Sequence, residues 1–177
     1  MVSIIKATAD NYQSISKIGN ISVAEAHRGS CPDEDLNDYL QRNYNDEAIF
    51  REIGDPDNLY NIIYYDKTAI GFSKLILNAK HANISEENVA KLDRIYLLNE
   101  FQGLKLGYEL LRYNVDLAKL NDQAGIWLYT WIGNEKAIRF YAKCGFKIIG
   151  SHRFYVTETS SNVNHQVFLE FSGPNHK

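Results

Sequence analysis

The chain of 177 residues is long enough for one well-buried domain and short for two. Its 45% hydrophobic and 12% aromatic content fits a packed core rather than a disordered chain, and a formal net charge of −3 excludes the basic excess that drives non-specific nucleic-acid binding. The cysteines Cys31 and Cys144 stand far apart in no metal-ligand spacing, so they read as reduced structural thiols; neither a disulfide framework nor a bound metal is expected.

The opening Met1-Val-Ser-Ile-Ile-Lys-Ala7 lacks the basic and long apolar segments of a signal peptide, and no later run reaches membrane-spanning length. A soluble, cytoplasmic protein is expected. Val2 to Ala7 reads as a short strand. Asp10 is placed to cap a helix running toward His27, with Gly19 and Gly29 obscuring its middle and end. Cys31-Pro-Asp-Glu-Asp starts another helix, its acids suited to the dipole of the first turn, and a third helix covers Asp46 to Ile53. Leu59 to Tyr65 and Thr68 to Leu77 read as a hairpin across Asp66-Lys67. A polar loop follows over 78–88, then a strand from Leu92 to Leu98.

Leu106, Leu110, Tyr113, Leu117 and Leu120 recur at helical spacing. Gly125 precedes a strand from Ile126 to Ile132. Asn134 is a natural N-cap for a helix that carries Ala137, Phe140, Tyr141 and Cys144 on one face and stops at Gly145. Phe146 to Val156 and His165 to Phe171 complete the pattern as antiparallel strands, leaving a tail at 173–177. The expected fold is a single α/β domain of α+β character, with a mostly antiparallel mixed sheet of about seven strands flanked by helices.

Phe101-Gln-Gly-Leu-Lys-Leu-Gly-Tyr108 joins a strand to a helix through a glycine-bearing turn, which aims unpaired amides and the positive end of a helix dipole at one point. It lacks the Gly-Lys-Ser/Thr ending of a Walker A loop and the three spaced glycines of a dinucleotide fold. Alone it reads as an anion-binding turn or a mere connection.

Two segments together are more specific. Gln102-Gly-Leu-Lys-Leu-Gly107 and Asn134-Glu-Lys-Ala-Ile-Arg-Phe-Tyr-Ala-Lys-Cys-Gly-Phe146, with a strand between them, resemble the GNAT superfamily of acetyl-CoA-dependent N-acetyltransferases. The resemblance implies a single GNAT-like domain over 1–172, with acceptor-side helices at about 10–54 and an acetyl-CoA-binding core at about 90–146. It implies that the backbone of Ile95, Tyr96 and Leu97 pairs with the pantetheine arm. The amides of Gln102, Gly103, Leu104, Lys105, Gly107 and Tyr108 are then expected to face the pyrophosphate.

Asn134 is expected along the cofactor, as a helix cap, or as both. Lys105 replaces a family glycine near a helix start, where ordinary helical angles would suffice; it is read either as a phosphate contact or as a solvated lysine. Tyr141 matches the family tyrosine that protonates the departing thiolate, the competing reading being an aromatic core residue. Asp93 matches a carboxylate that accepts a proton through water in some polyamine enzymes, or is an acid paired with a nearby cation.

Asp93-Arg-Ile-Tyr-Leu-Leu-Asn-Glu-Phe-Gln102, Ile126-Trp-Leu-Tyr-Thr-Trp131 and Gly150-Ser-His-Arg-Phe-Tyr155 resemble the bacterial spermidine/spermine branch. A small primary amine, a polyamine first, is the implied acceptor, attacked by direct transfer in a ternary complex. Asp33, Glu34, Asp35 and Asp38 either attract such a cation or complement a helix end. Trp131 and Tyr155 either pack along it or serve the core. Acetylation of an amino acid, antibiotic or protein N-terminus, and a silent acetyl-CoA sensor, are the alternatives; a homodimer is left open.

Overall fold

Hydrophobic alternation resolves into seven strands and five α-helices over residues 1–171, the part of the chain that the computed structural model describes. The expected tail at 173–177, with His176, lies outside the described residues. Strands β1 (Val2–Lys6), β2 (Asn58–Tyr65), β3 (Thr68–Ile76), β4 (Val89–Leu97), β5 (Gly125–Trp131), β6 (Lys147–Tyr155) and β7 (Ser161–Glu170) form one sheet in the order β1-β2-β3-β4-β5-β7-β6. Every pairing is antiparallel except β4 with β5.

Helices α1 (Tyr12–His27), α2 (Asp33–Asn43) and α3 (Asp46–Gly54) cover one face. There Ile15, Ile18, Leu40 and Ile49 pack on Tyr60, Ile62 and Phe72. Helices α4 (Leu106–Leu120) and α5 (Glu135–Lys143) cover the other, where Leu111 and Ala118 meet Leu75, Leu92, Ile126 and Leu128. Each buried leucine or isoleucine among these contributes about 1.5–3 kcal/mol. Ser73 and Asn114, both buried, tie α4 to β3 through hydrogen bonds of 2.9 and 3.1 Å, and Asn114 also donates to the Leu110 carbonyl at 2.7 Å.

Several expectations are corrected. Asp10 does not cap α1. It sits within a 3-10 turn at Ala9–Asn11, where Asn11 Oδ1 accepts from the Thr8 N–H at 2.8 Å. Gly19 does not interrupt α1, because the helix needs a residue without a side chain there: a Cβ would lie 2.3 Å from the Tyr44 ring. The Asp66-Lys67 hairpin forms without glycine, both residues taking left-handed angles (φ 45° and 69°) that a two-residue turn between twisted strands requires. β7 starts at Ser161, earlier than expected, because its inward-facing positions include buried Asn162, Asn164 and Gln166 rather than hydrophobes.

Two irregularities in β4 create the opening in the molecule. Against β3 the register steps from Lys74↔Arg94 to Leu75↔Leu92, leaving Asp93 as the extra residue of a β-bulge, which bends the strand. Against β5 the pairing covers only Val89↔Gly125, Ala90↔Ile126 and Lys91↔Trp127. Beyond the bulge β4 stays with β3 up to Gly71↔Leu97, while β5 stays with β7 up to Trp131↔Asn164. The two parallel strands therefore part, and the edge of β4 from Leu92 to Leu97 faces the gap without a β5 partner.

Candidate active site

A cleft of about 1400 Å³ runs through this gap. It is lined by the open edge of β4, the end of β5, the start of α4, α5 and the last turns of α1. Of the residues expected at the site, Asp93, Ile95, Tyr96, Leu97, Gln102, Gly103, Lys105, Gly107, Tyr108, Asn134 and Tyr141 all line it. Leu104 does not. Its side chain is 55% exposed and turned outside the cleft, so only its backbone belongs to the turn.

The α4 end of the cleft is a cluster of backbone donors. The first amide of this region to find a backbone acceptor is Glu109, which donates to the Lys105 carbonyl at 3.1 Å; among the described residues none is found for the amides from Gly103 to Tyr108. Together with the dipole of a 15-residue helix they form an anion cradle. Gly103 (φ 87°) and Lys105 (φ 62°, ψ 5°) both take left-handed angles to build the turn. The expectation that Lys105 would adopt ordinary helical angles is therefore wrong: it keeps the glycine-like conformation at a steric cost of about 1–2 kcal/mol. Gln102 braces the turn through Asn99 Oδ1 at 2.6 Å, and its own Oε1 accepts from Lys136 on the first turn of α5.

Asn134 does what a cap does and also faces the cleft: its Oδ1 accepts from the Ala137 N–H at 3.1 Å. About two turns further along α5, Tyr141 is buried between Phe140 and Phe146, with ring centroids 5.3 and 5.5 Å away. Burial pushes its phenol above the usual value, so it stays protonated through the neutral range. Tyr96, from β4, is likewise raised by burial.

The opposite wall carries a charged network. Asp93 Oδ1 meets Lys91 at 2.7 Å and Oδ2 meets Lys74 at 3.3 Å. Lys74 and Arg94 both reach Glu52 on α3, at 2.7 and 2.9 Å, and Arg94 donates to the Tyr60 hydroxyl at 2.7 Å. Desolvation works against the Asp93 carboxylate, but Lys91 and then Lys74 and Arg94 outweigh it and hold the group below the usual carboxylate range. The bulge explains why consecutive residues Asp93 and Arg94 both join this network.

The chain is similar to proteins of known family. Residues 20–146 match the acetyltransferase (GNAT) family. The chain belongs to that family. It is 27% identical to a spermidine N(1)-acetyltransferase of Thermoplasma acidophilum over 83% of this chain and 89% of the relative. It is 24% identical to an uncharacterized N-acetyltransferase of Lactobacillus delbrueckii subsp. lactis over 86% of this chain and 88% of that one. In fold it resembles the PaiA N-acetyltransferase of Thermoplasma acidophilum, solved in complex with coenzyme A, with a TM-score of 0.77, 23% identity and coverage of 97% and 99% of the two chains. The single α/β domain with its mixed, mostly antiparallel sheet is the GNAT fold, and the protein is an N-acetyltransferase by family.

Within this GNAT cleft two readings of the acceptor residues are corrected. Tyr155 is 63% exposed and lies outside the cleft, whereas its neighbour Phe154 lines it, because alternate residues of a strand face opposite ways. Asp33, Glu34 and Asp38 are exposed on α2, and none of these acids, nor the half-buried Asp35, lines the main cleft. Trp131 does line it, stacked on His27 with centroids 6.3 Å apart.

Sequence reading missed His27, Glu25, Asn162 and Asn164, all of which line the cleft. Burial lowers the His27 pKa, so its ring is neutral at neutral pH; Nε2 lies 3.4 Å from the Tyr96 hydroxyl. Asn164 donates to Asn162 Oδ1 at 2.8 Å on the neighbouring floor. No local pattern signals these residues, since each reaches the cleft through packing between distant segments. Among the described residues no group of three or more His, Cys, Asp or Glu is placed to hold a metal ion, and no helix is long and apolar enough to cross a membrane.

Proposed function

We propose that the protein transfers an acetyl group from acetyl-CoA to a small primary amine, a polyamine first, by direct attack in a ternary complex. The observation that carries this reading is the parting of β4 from β5, which opens an unpaired strand edge between an anion cradle and Tyr141. The residues suit the cosubstrate. The backbone of Ile95, Tyr96 and Leu97 offers pantetheine amides the pairing that a neighbouring strand would offer. The amides of Gly103 to Tyr108 suit a pyrophosphate. Asn134 flanks the same path.

Acetyl-CoA supplies an activated acyl thioester. Tyr141 holds its proton on Oη until negative charge develops at the leaving sulfur, which is the protonation state that burial enforces. Asp93 matches the position of a base. However, a carboxylate held ionised by two ammonium groups is a weak proton acceptor, so we assign it to fixing the acceptor wall electrostatically. The amine then attacks as the neutral species already present in solution.

A polyamine is favoured by the named spermidine relative and by the aromatic acceptor wall of Trp131, Tyr129 and Phe154, along which an aliphatic cation can lie. Residues 10–54 would serve the acceptor and residues 90–146 the cosubstrate, in the cytoplasm. The test is acetyl-CoA consumption with spermidine, spermine, aminoglycosides, amino acids and peptides. Turnover of a polyamine with the highest kcat/KM supports the reading. Preference for peptides or amino acids removes the polyamine, and cosubstrate binding without turnover of any amine would make the protein a sensor.

A further inference from the structure

Among the described residues three carboxylates line the cleft, and they differ in what already satisfies them. Asp93 has a lysine on each oxygen. Glu135, exposed at the start of α5, pairs with Arg139 at 2.9 Å. Glu25, on the last turns of α1 two residues before His27, lines the same cleft, yet its Oε2 is buried with no hydrogen-bond partner among the described residues. Arg28, one turn further along the helix, forms no ion pair with it among the described residues.

A buried carboxylate oxygen without a donor is costly, because water has been removed and nothing has replaced it. Such a group is retained where a donor arrives with a ligand. An N–H or O–H donor can supply the missing bond, a cationic one adds charge attraction, and either enters the cleft on its α1 side. The lining on that side also includes the His27 ring stacked on Trp131, uncharged at neutral pH, and the exposed Arg28.

We infer that Glu25 is the specificity-determining residue for the acceptor, accepting a hydrogen bond and ion pair from a second, non-reacting ammonium of the substrate. This rests on the reading that the acceptor is a polyamine. The reacting nitrogen must be neutral to attack, so a carboxylate that favours the protonated form belongs at the other end of the molecule. Asp93, whose oxygens are taken, does not perform this task, and neither do the exposed acids of α2.

The experiment compares wild-type protein with Glu25→Gln and Glu25→Asp, using spermidine and n-butylamine as acceptors at saturating acetyl-CoA. Calorimetric titration of spermidine into the CoA-loaded protein and thermal melts accompany it. In Glu25→Gln the KM for spermidine should rise about tenfold or more, while KM for butylamine, KM for acetyl-CoA and kcat stay within about twofold. Glu25→Asp should recover part of the spermidine affinity. An unchanged spermidine KM in Glu25→Gln, or an equal loss for both amines, overturns the assignment while leaving the polyamine reading intact. Wild-type protein that acetylates other amines but neither binds nor acetylates spermidine overturns both.

Discussion

Lys91 Nζ lies 2.7 Å from Asp93 Oδ1, two residues along the same strand, at the point where β4 leaves β5. The pair fixes the cleft wall at the bulge that opens the cleft, and Lys74 completes it from β3.

Because Asp93 and Glu52 are both held below their usual carboxylate range, the network has a defined pH dependence. Groups with depressed pKa values contribute stability that is fully present above their unfolded values, near 4, and is lost as pH falls through the folded ones. Thermal melts should show little change from this network between about pH 6 and 8 and a progressive fall below about pH 4. Asp93→Asn should flatten that acid fall and lower Tm at neutral pH. If Asp93 were instead the base, the variant would remove the acidic limb of the pH–rate profile.

Tyr141→Phe deletes one hydroxyl while keeping the packing against Phe140 and Phe146. The kcat should fall by about 100-fold or more, with KM for acetyl-CoA and Tm nearly unchanged. In wild-type protein the raised phenol pKa keeps the proton in place, so no loss of rate from Tyr141 ionisation is expected below pH 10. Full activity of the variant in steady-state assays would remove Tyr141 from the chemistry.

How much of this was legible in the chain depends on the range of the forces involved. Asn134 as a cap, Gly145 as a helix stop (φ 91°) and the hairpin at Asp66-Lys67 are local choices, and the sequence carries them. The parting of β4 and β5 is not local: it follows from a bulge at Asp93 that shows only once β3 is paired. The sequence pattern of β7 looks shorter than the strand is, because Asn162, Asn164 and Gln166 occupy inward positions usually taken by apolar residues. Glu25 and His27 sit on a helix whose pattern gives no sign of Trp131, a partner far along the chain.

Lys105 tests the cost of keeping a glycine conformation with a side chain. Lys105→Gly should relieve the left-handed strain and raise stability by about 0.5–1 kcal/mol net of the added chain entropy, or roughly 2 °C in Tm. Lys105→Ala should leave Tm unchanged, since the strain remains. If the ammonium touches the pyrophosphate, both variants weaken acetyl-CoA binding and reduce its salt dependence in calorimetric titrations.

Asn114 makes the buried polar tie between α4 and β3. Asn114→Ala should cost about 2 kcal/mol, or roughly 4–8 °C in Tm, because Ser73 and the Leu110 carbonyl lose a buried partner. Since α4 presents the anion cradle, KM for acetyl-CoA should rise while the amine KM stays put.

The most direct measurement is incubation of the purified protein with acetyl-CoA and spermidine, following free CoA thiol and acetylated spermidine by mass spectrometry. Equal amounts of thiol and mono-acetylated spermidine, both lost in Tyr141→Phe, are the expected result. Acetyl-CoA that binds yet yields no acetylated amine, from spermidine or any other acceptor tried, would contradict the assignment of this cleft as a transferase site.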